Sequence, residues 1–314
     1  MQNYHNHKSY SNILVADCVA SYEEYVKRAV ELGQNVISSV EHGYQSNYYV
    51  PYELVQRHNE KLKMRLETGE ISENEYKKTK LKFVFGAEAY WVKDRIAETV
   101  PKINKKTKEV VPGEYTKDRT NCHIILLAKN EEGRRDINEV LSIANEDGFY
   151  GQPRLDIPLL LQIKPENVMV TTACIKYWAY DDIDEITKTL HDHFGDNFFL
   201  EIQYHNTEKQ KQINRHILEL SHKFGIDIIL GCDSHYITED QSTERDNYLA
   251  ARGIEYDSDE IGWYMDYPDE GEARRRLKEQ GILNDKEIDR CITNTDLLLD
   301  FEDIVLDKRI KLAK

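Results

Sequence analysis

Long apolar runs are missing from this sequence. No stretch approaches the roughly 20 residues needed to span a bilayer. The opening MQNYHNHKSY is polar, where a secretory signal would carry an apolar core. Membrane insertion and secretion are therefore not expected. Cysteine is scarce too: Cys18, Cys122, Cys174, Cys232 and Cys291 are five in 314 residues, odd in number and never in a CxxC pair. That pattern predicts free thiols in a reducing cytoplasm. No GxGxxG and no GxxxxGK(S/T) occurs, so the usual nucleotide signatures of an open doubly wound sheet are absent. Positive charge is in short supply, with 42 Lys and Arg against 57 Asp and Glu, a formal net charge of -15. A protein that coats a duplex presents a basic face. This chain would instead meet phosphate at a local site, with metal ions in an acidic cluster supplying the charge.

What is present is an alternation of short apolar runs and amphipathic stretches. Residues 21–32 predict a helix, with Ser21 as N-cap and Gly33 as its stop. NVISSV, FVFGAEAYWV, CHIILLA, NVMVTTACI, FFLEIQYH and IDIILGCDSHY predict strands. Helices are expected over about 133–145, 182–194, 208–224, 270–280 and 286–299. About seven parallel β/α units follow, favouring a closed or nearly closed barrel. Two stretches interrupt the repeat. Residues 56–82 predict a helical hairpin around Thr68-Gly69. Residues 93–119 form a polar, locally basic excursion with a turn at Pro112-Gly113, either a solvated loop or an arm that touches a polyanion. The expected organisation is an α/β barrel over 1–240 with an irregular and helical extension over 241–314. The run Arg274-Arg275-Arg276 reads as a solvated helix face.

Residues with metal-ligating side chains fall at one recurring place. His5 and His7 form an HxH pair, and residues two apart on an extended segment share a face. His42 follows the strand VISSV. Glu88 lies in FVFGAEAYWV, His123 opens CHIILLA, and Cys174 ends VMVTTAC. Asp233 and His235 form a DxH pair after IDIILGC. Potential ligands thus mark the ends of about six successive strands, where barrel side chains converge on one cavity. Histidine and carboxylate with one thiolate suit Zn, Mn or Fe better than Mg or Ca. The number of ligands implies two or three divalent ions, with Glu88 as a natural bridge. Such a pair can hold a bridging hydroxide for in-line attack at phosphorus. Amide or amidine hydrolysis is the competing chemistry.

HNHKSYS, VEHG, GAEAYWV, CHIILLAKN, TTAC and GCDSHY, in this order, resemble the successive motifs of the PHP (polymerase and histidinol phosphatase) superfamily. The resemblance is strongest to the N-terminal PHP domain of the bacterial and phage C-family replicative polymerases. LSIANEDGFYGQPRLD, FFLEIQYHN, GWYMDYPDE and CITNTDLLLDF also resemble segments of that branch. It implies a distorted seven-stranded barrel and a trinuclear site of nine ligands. By resemblance, the first ion would take His5, His7, Glu88 and Asp233. The second would take Glu88, His123 and Cys174, and the third His42, His235 and Asp17. Asp233, Glu88 and His235 would be the catalytic residues. Glu41 stands where the family usually has Asp, which bears on a bond to His42 or a metal. His205 and Arg119 are candidates for substrate contact, with Lys93 beside them. The implied activity is metal-dependent phosphoester hydrolysis of the 3′–5′ exonuclease type on single-stranded DNA, by a metal-bound hydroxide. A polymerase core in cis or trans is the implied partner, and no nucleotidyl-transfer palm is expected within these residues. Two alternatives stand beside it: a metal-stabilised structural module, and a free-standing small-molecule phosphatase.

Overall fold

A computed structural model describes residues 1–13, 17–45, 48–104, 107, 109–118, 120, 122–254 and 262–307. Helix signals act where the sequence places them. In α1 (Tyr22–Leu32), the Ser21 side chain accepts from Glu24 N and the Glu24 carboxylate accepts from Ser21 N, while Gly33 ends the helix at φ +68°. The chain continues through β1 (Val36–Ser39), α2 (Tyr49–Glu67), α3 (Glu73–Thr79) and β2 (Lys82–Trp91). Next come β3 (Thr99–Ile103), β4 (Val110–Lys117), β5 (Cys122–Ala128), α4 (Glu131–Glu146), β6 (Arg154–Leu155) and α5 (Ile157–Leu160). Then follow β7 (Val168–Thr172), α6 (Ile183–Phe194), β8 (Phe198–Ile202), α7 (Glu208–Phe224) and β9 (Asp227–Leu230). The helices α8 (Ser242–Ala251), α9 (Glu270–Gln280) and α10 (Asp285–Asn294) complete the order.

The main sheet runs β1-β2-β5-β7-β8-β9, with β6 added beside β2. It curls, and the N-terminal segment lies across the gap between its first and last strands. On one side Gln2 Oε1 accepts from Asn35 N and Val36 N, and Ser38 Oγ donates to Tyr4 O at 2.5 Å. On the other, His7 N donates to Ser234 O at 2.7 Å and Ser234 N to His5 O at 3.2 Å. The result is a distorted α/β barrel.

Several expectations are corrected. The strands are not all parallel: β5 is antiparallel to both β2 and β7. A two-stranded hairpin, β3–β4, links β2 to β5, and a hairpin link without a crossover helix sends the chain back the other way. Reversal explains why His123 opens its strand while His42, Cys174, Asp233 and His235 follow theirs. Pro112-Gly113 is not the hairpin's turn. It sits inside β4 opposite the register shift between Pro101 and Ile103, with Gly113 at φ +76°, as a bulge. Residues 56–82 do form a helical hairpin, but its first helix begins earlier, at Tyr49.

Strand alternation sorts the side chains into two cores. Outward residues such as Phe85, Ala87, Trp91, Leu126, Val170, Leu200 and Ile228 pack under the helices. Inward residues Val84, Ile125, Leu127, Met169, Phe199 and Ile229 fill the lumen, with Leu298 and Phe301 from the C-terminal segment joining them. Further along the same inward rows the character changes. Val84 gives way to Glu88, Leu127 to His123, Phe199 to Glu201, and Ile229 to Asp233. The lumen is therefore apolar at one end and acidic and imidazole-rich at the other.

Residues beyond 240 share the outer core through Ala273, Leu277, Ile288 and Ile292. Arg276 is not a solvated residue. It is 5% exposed, its guanidinium forks onto Asp266, and it lies over the rings of Tyr204 and Tyr264. Among the described residues no helix is long and apolar enough to cross a membrane.

Candidate metal centre

At the polar rim the HxH segment is extended, so His5 and His7 turn to the same side. Their Nε2 atoms stand 3.2 Å apart. Asp233 Oδ1 lies 3.2 Å from the first and 3.3 Å from the second. Asp233 has φ +48°, the one positive value among the described non-glycine residues. Aspartate tolerates that left-handed region better than bulkier residues do.

Glu88 occupies the centre. Its Oε1 is 3.5 Å from His5 Nε2 and 2.8 Å from His123 Nδ1. Its Oε2 is 2.5 Å from His42 Nδ1 and 3.7 Å from His7 Nε2. One carboxylate thus faces four imidazoles. Asp17 makes a further node, with Oδ1 3.6 Å from His42 Nε2 and Oδ2 3.3 Å from His235 Nε2. His235 Nδ1 donates to the backbone oxygen of Asp233 at 2.8 Å, leaving Nε2 as the lone-pair nitrogen.

The expected sets gather unequally. His5, His7 and Asp233 form one compact group, and Asp17, His42 and His235 belong to another. His7, His42 and Glu88 form a third. Among the described residues Glu88, His123 and Cys174 do not form one. They meet in pairs, with His123 on Glu88 and the Cys174 thiol beside His123.

Electrostatics follow from this packing. Burial works against the charged forms of Glu88, Asp233, Asp17, His7 and His123. For Glu88 it is outweighed by His123, His7 and His42, and for Asp233 by His5, so both carboxyls are held well below the usual range. Asp17 is depressed in the same way, against burial, by His235 and His42. Burial is likewise outweighed at His123, where Cys174 and Glu88 raise the pKa to about 10. His7 goes the other way, to about 3, through burial and the neighbouring His42. Carboxylates and imidazoles interleaved out of water hold each other's charge, and protons occupy the places a cation would take.

Other candidates are placed as follows. Glu41 is turned from the cluster: its carboxylate accepts from Tyr22 Oη, Ser11 Oγ and Lys8 N. It reaches the imidazoles through Ser11, whose Oγ lies 3.4 Å from His7 Nδ1. Lys8 is fully buried beside it, donating to Asn6 O and Ser38 O. His205 is fully buried, its ring 4.3 Å from that of Trp263 and tilted by 38°. Its Nδ1 accepts from Tyr264 N, so Nε2 carries the proton, and that nitrogen has no hydrogen-bond partner. Burial lowers its pKa to about 3, with Asp233 opposing. Lys93 pairs with Asp182 at 2.6 Å and lies over Tyr180. Arg119 lies outside the described residues.

Sequence reasoning missed three side chains here. Glu201 accepts from Tyr4 Oη at 2.7 Å and lies 2.8 Å from His5 Nδ1, which orients His5 Nε2 toward the cluster. Its signal was a lone carboxylate in the apolar run FFLEI. Gly231 makes the room: a Cβ there would stand 2.0 Å from Glu201 Cδ. Tyr90, two residues beyond Glu88 on the same strand face, has a buried hydroxyl without a partner and a ring 5.0 Å from that of His123. Cys18, beside Asp17, points its Sγ to Asp17 Oδ1 at 3.2 Å.

The donor set fits divalent ions. It is histidine, carboxylate and thiol, and the buried Nε2 atoms of His42 and His123 have no hydrogen-bond partner.

Comparison with known proteins agrees in part with this picture. The model of the PHP domain matches residues 3–205, a span that takes in His5, His7, Glu88 and Cys174 but ends before Asp233. The chain is similar to the DNA polymerase III subunit alpha of Aquifex aeolicus, 27% identical over 241 residues, covering 74% of this chain and 18% of that protein. That of Borreliella burgdorferi is 30% identical over 180 residues, covering 55% of this chain and 14% of that one. The chain therefore spans a fifth or less of the length of these relatives. A crystal structure of a lesion-specific endonuclease from Pyrococcus furiosus is also similar, at 14% identity and TM-score 0.40, over 74% of this chain and 48% of that one. With the family model matching well over half the sequence, the chain belongs to the PHP domain family.

Proposed function

We propose that this chain is a metal-dependent phosphoesterase that hydrolyses the 3′ end of single-stranded DNA in the 3′–5′ direction. The observation that carries the reading is Glu88, one buried carboxylate facing His5, His7, His42 and His123. The nine expected ligands (His5, His7, Asp17, His42, Glu88, His123, Cys174, Asp233 and His235) would hold two to three Zn, Mn or Fe ions. When bound, such ions supply Lewis acidity toward a phosphoryl oxygen and acidify water.

The chain's own residues do the rest. Glu88 bridges the groups. Asp233 faces His5 and His7 and is the residue whose loss should cost turnover most. His235 presents Nε2 because its Nδ1 proton is fixed on the Asp233 carbonyl. His205, neutral with its proton on Nε2, is placed to donate to a phosphoryl or leaving oxygen. The Tyr90 hydroxyl offers a second donor. Ions held at this cluster would supply the positive charge a phosphate needs despite the net charge of -15. The alpha-subunit relatives favour DNA as substrate, a polymerase core as partner and a cytoplasmic setting. In this reading residues 1–240 form the hydrolytic unit and 241–314 an extension resembling the segment that leads to the polymerase core.

The test is release of nucleotides from a 3′-labelled single strand with added manganese. Asp233→Asn should abolish release while far-ultraviolet circular dichroism stays unchanged. Activity in the variant equal to the parent would sink the proposal. A second reading, a metal-held structural module, is favoured by the closure of the barrel at this cluster through His5, His7 and Ser234. It predicts a melting temperature that falls on chelation without any turnover.

A further inference from the structure

We propose that Cys18 is a metal ligand, completing a four-donor zinc site with Asp17, His42 and His235. The proposal rests on the reading of the rim as a metal centre and adds a residue that the family resemblance does not supply. One ligand atom from each of the four residues lies within 4.8 Å of the others. Zinc takes thiolate at about 2.3 Å and imidazole or carboxylate at about 2.0–2.1 Å, which puts tetrahedral donors roughly 3.3–3.8 Å apart. The separations here are 3.2 Å from Cys18 Sγ to Asp17 Oδ1, 3.6 Å from Asp17 Oδ1 to His42 Nε2 and 3.3 Å from Asp17 Oδ2 to His235 Nε2. All three involve Asp17, two through Oδ1 and one through Oδ2, so this carboxylate is the node on which the thiol and the two imidazoles converge.

A second observation points independently to a ligand. His42 is 5% exposed, yet its Nε2 has no hydrogen-bond partner and faces this group. A buried ring nitrogen left in that state costs free energy unless something meets it. The backbone is also built for the purpose. Asn12 Oδ1 accepts from both Asp17 N and Cys18 N at 3.0 Å, and Arg245 Nε donates to Asp17 O at 3.0 Å. These bonds fix the Asp17-Cys18 pair from both sides. Four protein donors close a zinc site, whereas hydrolytic sites keep a position open. The ion here would tie the N-terminal segment to the barrel, with His235 serving turnover by holding that ion beside Asp233, while open positions would be left to the ions at His5, His7, Asp233, Glu88 and His123. A thiolate also makes this position prefer zinc over manganese.

Cobalt(II) substitution of the full chain tests this, because only thiolate ligation gives a near-ultraviolet sulfur-to-cobalt charge-transfer band. Cys174 is the other thiol near the rim, so the decisive background is Cys174→Ser. That variant should bind cobalt and keep a charge-transfer band. Adding Cys18→Ser should remove the band and lower zinc affinity by about tenfold or more, with manganese affinity unchanged. Cys18→Ala in the same background should behave alike, and X-ray absorption of zinc-loaded Cys174→Ser should show a single sulfur shared among all the bound zinc, a fractional sulfur count per ion. Cobalt bound by Cys174→Ser without the band overturns the role of Cys18 and leaves the metal centre standing. No cobalt bound by the parent chain, by equilibrium dialysis, overturns both.

Discussion

Glu201 shows how a residue outside the donor set governs it. Its carboxylate holds His5 Nδ1 at 2.8 Å and is itself fixed by Tyr4 Oη and Gln203 Nε2. Carboxylate–histidine pairs of this kind set ring orientation and ligand basicity. Glu201→Gln should therefore weaken metal binding by about 10–100-fold with the fold intact, as read by competition with a chromophoric chelator. His123 gives a pH prediction. In the metal-free protein its pKa is raised from 6.5 to about 10. A raised pKa stabilises the metal-free fold in full below pH 6.5, and that contribution is lost as pH rises through about 10. Metal binding must expel this proton, so loading at pH 8 should release it. Calorimetry in two buffers of different ionisation enthalpy checks this; equal heats in both would contradict it. At this scale HxH, DxH, Glu88 and His42 were legible in the sequence because metal-ligating side chains recur there at the same place relative to the apolar runs. Cys18 and Tyr90 were not, because their partners are brought in from other parts of the chain.

At the scale of elements, the sequence carried the helices well and strand direction poorly. Ser21 and Gly33 mark α1, and α7 and α9 begin and end where periodicity places them. Direction depends on what joins two strands, and the polar stretch between β2 and β5 carries no apolar period to reveal a hairpin. The strand ends are also where close approach matters. Gly231 follows β9 and faces Glu201 with no space for a methyl group. Gly231→Ala should cost about 1–3 kcal/mol in urea denaturation and should also weaken metal binding by displacing Glu201. Stability lost without any change in metal affinity would show that Glu201 is not positioned from this side.

For the whole molecule, the barrel is closed by bonds between the N-terminal segment and residues near 234 rather than by a continuous ladder. Ions at that place would act as clasps. Free metal at a hundred times its dissociation constant adds about 2.7 kcal/mol per site. Chelation should accordingly lower the melting temperature by several degrees, reversed by zinc or manganese. A melting temperature indifferent to chelator would count against any bound ion.

The placement of these donors has a bearing on how the chain matures. They span positions 5 to 235, nearly the whole circuit of the barrel. During synthesis the earliest histidines must wait, unpaired, until the last strand has been made. Cation uptake would then act as a completion signal, lost in C-terminal deletions as soon as they remove the core residues Leu277, Ile288 and Leu298, before His235 is reached.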